Sequence, residues 1–81
     1  MYYVYIIKSN IKGRYYIGST GNIVARLNRH NKGGNKSTKY GIPWILVHLE
    51  EFETEQCAYR REMQIKSYKG GSAFKQIVEK I

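Results

Sequence analysis

The alternation of apolar and polar side chains changes character several times along the chain, and each change marks an element. Tyr2-Tyr3-Val4-Tyr5-Ile6-Ile7 is β-branched and aromatic, with apolar residues on both alternating faces. Such a run reads as a strand covered on both sides, hence a central one. Arg14-Tyr15-Tyr16-Ile17-Gly18 reads as a second strand, and the turn-forming Ser9-Asn10-Ile11-Lys12-Gly13 between them predicts an antiparallel hairpin. From Ile23 to about Lys32 the period lengthens to that of a helix, with Ile23, Val24 and Leu27 as its apolar stripe. Asn22 stands where an N-cap belongs, and Gly33-Gly34 stops the helix. Asn31 to Gly41 is polar, basic and glycine-rich, a loop, after which Pro43 opens a third strand, Trp44-Ile45-Leu46-Val47-His48-Leu49.

A second helix is predicted from near Thr54 to about Tyr68, ended by Gly70-Gly71. Ser72 is expected to cap a last helix, in which Phe74, Ile77, Val78 and Ile81 recur at helical spacing. The order β-β-α-β-α-α predicts an α+β fold, a three-stranded antiparallel sheet flanked by helices. Eighty-one residues make one domain, 1–81. A domain of this size hides only about 60% of its unfolded surface, so a polar group turned toward its thin core needs a reason.

Composition narrows the class. With 42% hydrophobic residues, 25% charged ones and a single Pro, the chain reads as globular and not as disordered. No apolar run is long enough to span a bilayer, and the N-terminus lacks the pattern of a signal peptide, so no membrane partner is expected. The one cysteine, Cys57, excludes an internal disulfide and fits a reducing cytoplasm; with two His it cannot close a zinc site within one chain. Fourteen Lys and Arg against six acids give a net charge of +8, which favours nucleic acid or an anionic surface as partner.

Three sets of residues resist a purely structural reading. Arg26 and His30, an i, i+4 pair, share one helix face at the rim of the apolar stripe. Glu62 lies within the stripe of the second helix, spaced with Ala58 and Ile65, while Arg60, Arg61 and Lys66 occupy another sector. A carboxylate so placed is either salt-bridged to a neighbouring Lys or Arg or binds a cation. Five of the eight tyrosines sit in the hairpin; Tyr16 shares a strand face with Gly18, which lets another group approach the backbone closely.

Taken together these residues resemble the GIY-YIG nucleases, most of all the compact members that hold little beyond the catalytic module. Val4-Tyr5 stands at the first signature position and Tyr16-Ile17-Gly18 at the second, their tyrosines eleven positions apart. Arg26, His30 and Glu62 follow at the family's spacings, and Phe52 and Pro43-Trp44 also look like the compact members. Two positions depart from the pattern: Tyr3 replaces the first signature glycine, and no Asn follows Asn35 to match the asparagine many relatives carry beyond the glutamate. The resemblance implies hydrolysis of DNA phosphodiester bonds, in repair or processing, with one divalent ion, Mg²⁺ or Mn²⁺, held by Glu62. It implies that Arg26 holds phosphate oxygens and that Tyr5 or Tyr16, helped by His30, orients or deprotonates the attacking water; of the two, Tyr5 is the expected base, with Tyr16 and His30 placing phosphate and water. Lys32, Lys36, Thr38 and Lys39 of the basic loop are expected either to grip the nucleic-acid backbone or to form a merely solvated surface.

Two other readings compete: a non-catalytic nucleic-acid-binding module using the same basic surface, and an interaction subunit docking a protein through its Tyr and Trp44 surfaces. The expected substrate is DNA, branched or single-stranded in preference, with RNA left open. The expected state is a monomer or weak homodimer, with a protein partner as a source of specificity.

Overall fold

The structure, a computed structural model, describes residues 1–79. Strand β1 (Tyr2–Ser9) lies between β2 (Tyr15–Thr20) and β3 (Trp44–Phe52) in an antiparallel sheet of order β2-β1-β3. Helix α1 (Ile23–Asn31) follows the hairpin, α2 (Glu55–Ser67) and α3 (Ser72–Val78) follow β3, and a single 3₁₀ turn spans Lys39–Gly41. The predicted α+β fold and element order are those observed.

The two-faced apolarity of β1 is spent on two cores. Val4 and Ile6 point to one side, where Ala58 and Ile65 of α2 and Phe74 of α3 bury them. Tyr5 and Ile7 point to the other, packed with Trp44 and with Ile23 and Leu27 of α1. A central strand flanked on both faces leaves its neighbours as edges, so β2 presents side chains to both layers at the rim of the molecule.

Pairing with β1 carries both outer strands further than their composition suggested. β2 runs on to Thr20, opposite Tyr3, and β3 on to Phe52, opposite Tyr2. The helix starts follow the capping residues: the Asn22 side chain accepts from the Ala25 amide, and Thr54 from Cys57. Gly33, at φ +77°, turns the chain out of α1. The last helix differs in detail. Gly71, with extended backbone, occupies the cap, and Ser72 is the first helical residue, not the capping one. Phe74, Ile77 and Val78 of that helix do meet the core, while Ile81 lies outside the described residues.

Candidate active site

The site is built around Tyr5. Its position in the middle of β1 puts the ring into the α1-side core, fully buried. The register sets Tyr5 opposite Gly18 of β2. The phenol lies across that glycine: a Cβ there would stand 2.5 Å from the Tyr5 hydroxyl. Gly18 is thus the residue that makes room for the Tyr5 head.

Helix α1 brings His30 to the same point. His30 is fully buried, and its Nε2 lies 2.9 Å from the Tyr5 hydroxyl. Its Nδ1 lies 2.8 Å from Oγ1 of Thr38, whose hydroxyl donates in turn to the Asn35 carbonyl. A hydroxyl has one proton to give. With that proton on Asn35, Nδ1 donates to Thr38, and Nε2 is left to accept the proton of Tyr5. The chain of bonds therefore runs Tyr5 to His30 to Thr38 to the backbone of the loop.

Burial, reinforced by the charges of Arg26 and Arg29, pulls His30 below its ordinary value. A neutral imidazole is what this hydrogen-bond chain requires. Burial likewise raises Tyr5; the neighbouring Arg26 guanidinium opposes that rise, and the charges of Tyr16 and Glu62 add to it. Arg26 itself is half-buried and, among the described residues, takes part in no ion pair.

Tyr16 packs at the rim of this cluster, its ring 5.0 Å from His30 and 6.3 Å from Tyr5 between centroids. It is half-buried where Tyr5 is fully enclosed. The two signature tyrosines are thereby separated in kind: one hydroxyl is committed inside the protein, the other ring lines an open cavity.

Glu62 comes from the other layer. One turn beyond Ala58 on α2, its side chain is only 12% exposed. Ser19 donates to Oε1 at 2.6 Å, and the Lys66 ammonium stands 2.7 Å from Oε2. Ser19 follows Gly18 and so faces α2, the side opposite Tyr5. The carboxylate is thus moored at the β2 edge, near enough to Tyr5 for its charge to bear on the phenol. Lys66 does not lie in a separate sector, as its helix pattern suggested; its i, i+4 spacing lays it on Glu62.

The family model for the GIY-YIG catalytic domain matches residues 1–73. The chain belongs to the GIY-YIG family. It is 40% identical to the UPF0213 protein SH2523 of Staphylococcus haemolyticus, over 98% of this chain and 96% of that one. To a UPF0213 protein of Staphylococcus aureus it is 41% identical, over 83% of this chain and 82% of that one. Membership of the GIY-YIG family carries nuclease activity in general.

Within this GIY-YIG domain, Tyr5, Tyr16, Arg26 and His30 gather on the α1 side, and Glu62 reaches the same strand edge from the α2 side. Lys32, Lys36 and Lys39 are exposed on the loop after α1. Thr38 is not available to a ligand: it is 1% exposed, holds His30 through its hydroxyl and accepts the Trp44 indole N–H at its carbonyl. Its expected grip on a nucleic-acid backbone is corrected to an internal anchor for the loop. Ser19 was not singled out in the sequence and Lys66 was assigned to another sector, although strand alternation past Gly18 and the Glu62 to Lys66 spacing were both there to be read. Among the described residues no helix is long and apolar enough to cross a membrane.

Proposed function

We propose that the protein is an endonuclease that hydrolyses DNA phosphodiester bonds with the help of one divalent cation. The observation that carries this reading is the convergence at the β2 edge of a moored carboxylate, Glu62, with the guanidinium of Arg26 and the Tyr5–His30 pair.

The donor set suits a hard cation. No group of three or more His, Cys, Asp or Glu side chains converges among the described residues, so an all-protein cage is not the mode. One carboxylate completed by water and phosphate oxygens is how Mg²⁺ is ordinarily held. The Glu62 oxygen Oε2 already faces a positive charge, that of Lys66, which is 45% exposed. When bound, the cation supplies neutralisation of the charge developing on the phosphate and the leaving oxygen.

The chain's own residues do the rest. Arg26 offers a planar fork of donors to the non-bridging phosphate oxygens, a better fit than a point charge. Tyr16, at the open rim, is the tyrosine that reaches the attacking water and takes its proton. Tyr5 is a positioning residue: its hydroxyl is spent on His30, and its ring holds Tyr16. This reverses the roles expected of the two tyrosines, because a fully buried phenol does not meet solvent. Lys32, Lys36 and Lys39 hold phosphates, which position the strand without reading its bases, and this suits a role in DNA repair or processing.

The test is cleavage of labelled single-stranded, duplex and branched DNA with Mg²⁺ or Mn²⁺, with and without chelator. Wild type cuts only with the cation, and Arg26→Ala cuts on the order of 10³-fold more slowly. DNA binding that is unchanged by chelator, without cleavage of any substrate, supports the non-catalytic binding module instead.

A further inference from the structure

All six acidic residues lie from Glu50 onward, as Glu50, Glu51, Glu53, Glu55, Glu62 and Glu79. The first 49 residues carry eight Lys and Arg and no acid. The net charge of the molecule is therefore that of the hairpin, α1 and the loop after it. A cavity of about 360 Å³ opens in this half, within the size range of ligand pockets. Lys12 and Arg14 of the hairpin turn line it, with Tyr16, Tyr40, Ser37 and Trp44.

The walls are of two kinds. Trp44 is fixed, its N–H bonded to the Thr38 carbonyl and its strand start clasped by the Asn31 side chain. Gly41 lies so close against the indole that any Cβ would collide with it. Tyr40, the residue just before, is 77% exposed. An exposed aromatic ring beside a rigid aromatic floor, with cations at the turn and no acid in the lining, suits a flat anionic ligand. Tyr16 joins the cavity to the Tyr5–His30 cluster, so a ligand here lies directly beside the site of reaction.

We infer that this cavity takes one unpaired nucleobase of a DNA strand, stacked on Tyr40, with its phosphate on Lys12 and Arg14, next to the phosphate that is cut. The inference rests on the nuclease reading for its last clause only. A base paired in a duplex cannot enter without leaving its stack, so the cavity selects single-stranded or distorted DNA.

The experiment measures binding with chelator present, so that it does not depend on cleavage. Wild type, Tyr40→Ala, Tyr40→Phe and a Lys12→Ala/Arg14→Ala double variant are titrated onto a short fluorescein-labelled DNA single strand and its duplex. A second single strand carries 2-aminopurine. Tyr40→Ala weakens single-strand binding about tenfold, the effect of one lost base–aromatic stack, and leaves duplex binding unchanged. Tyr40→Phe binds as wild type does. Wild type quenches the 2-aminopurine and Tyr40→Ala does not, while the double variant flattens the salt dependence of single-strand binding. Single-strand affinity and quenching unchanged in Tyr40→Ala, or equal losses on single strand and duplex, would overturn the inference. A wild type that stacks the base but cuts no DNA with Mg²⁺ or Mn²⁺ would overturn the nuclease reading and leave the pocket standing.

Discussion

Tyr5 and His30, both fully buried, share one hydrogen bond of 2.9 Å, and the Thr38 hydroxyl on the far side of the imidazole fixes its direction from phenol to ring. Residues far apart in sequence thereby become one unit, and the basic loop is tied to the middle strand of the sheet. The same bond removes the Tyr5 hydroxyl from the pool of groups that can touch water.

The two signature tyrosines should accordingly fail in different ways. Tyr5→Phe leaves the buried Nε2 of His30 without a partner, which costs about 1–3 kcal/mol and lowers the melting temperature by several degrees. Tyr16→Phe leaves the melting temperature unchanged and slows cleavage on the order of 10²-fold or more, as loss of a base does. Thermal melts and single-turnover cleavage of both variants decide the matter. A Tyr16→Phe enzyme with wild-type rate would return the role of base to Tyr5.

Acid should lower the stability of the protein in two steps. Burial, with Arg26 and Arg29, holds His30 below its ordinary value of 6.5, so the unfolded chain binds this proton first. Its contribution is intact above about pH 6.5 and is lost as pH falls below it. At Glu50, burial works to raise the carboxyl, but hydrogen bonds from Arg61 and His48 prevail and hold it below 4.5. That contribution is present above about pH 4.5 and is lost below it. Stability measured by denaturant across pH should therefore fall first below pH 6.5, then again below 4.5. His30→Gln should remove the first step alone and Glu50→Gln the second. A stability flat from pH 7 to 5 in wild type would contradict the assignment of His30.

Lys66 occupies the place of a cation on Glu62, 2.7 Å from Oε2. A divalent ion taking that oxygen must displace the ammonium and overcome its repulsion. Lys66→Met should raise Mn²⁺ affinity several-fold, read by calorimetry on the protein alone. The pair it removes joins a half-exposed Lys66 to a largely buried Glu62, so melting should fall slightly while Mn²⁺ restores it. Unchanged or weaker Mn²⁺ binding would mean that Glu62 is a salt-bridge partner and not a cation ligand.

The fold was legible because its determinants are local. Apolarity on both faces of β1 fixed its central place, and Asn22 and Thr54 marked two helix starts through side-chain caps. Glu62 stood out for a similar reason, a carboxylate inside an apolar stripe. What was hidden depends on chain segments that meet only in the folded state. His30 sits at the rim of its helix pattern, and nothing local tells that Thr38 will fold back to bury it. The same return of the loop turned Thr38 from an expected surface contact into an internal anchor. The proposed division of labour between Tyr5 and Tyr16 rests on how deeply each ring lies, which alternation on a strand does not express.

Glu62→Gln separates the structural from the cation-holding part of this carboxylate, because glutamine keeps the acceptor for Ser19 while removing the charge that would hold a cation. With Mg²⁺ or Mn²⁺ on labelled DNA, the variant should lose cleavage by about 10³-fold or more, with its melting temperature within a few degrees of wild type. Cleavage at the wild-type rate by this variant would mean that Glu62 holds no catalytic cation and that this is not the site of hydrolysis.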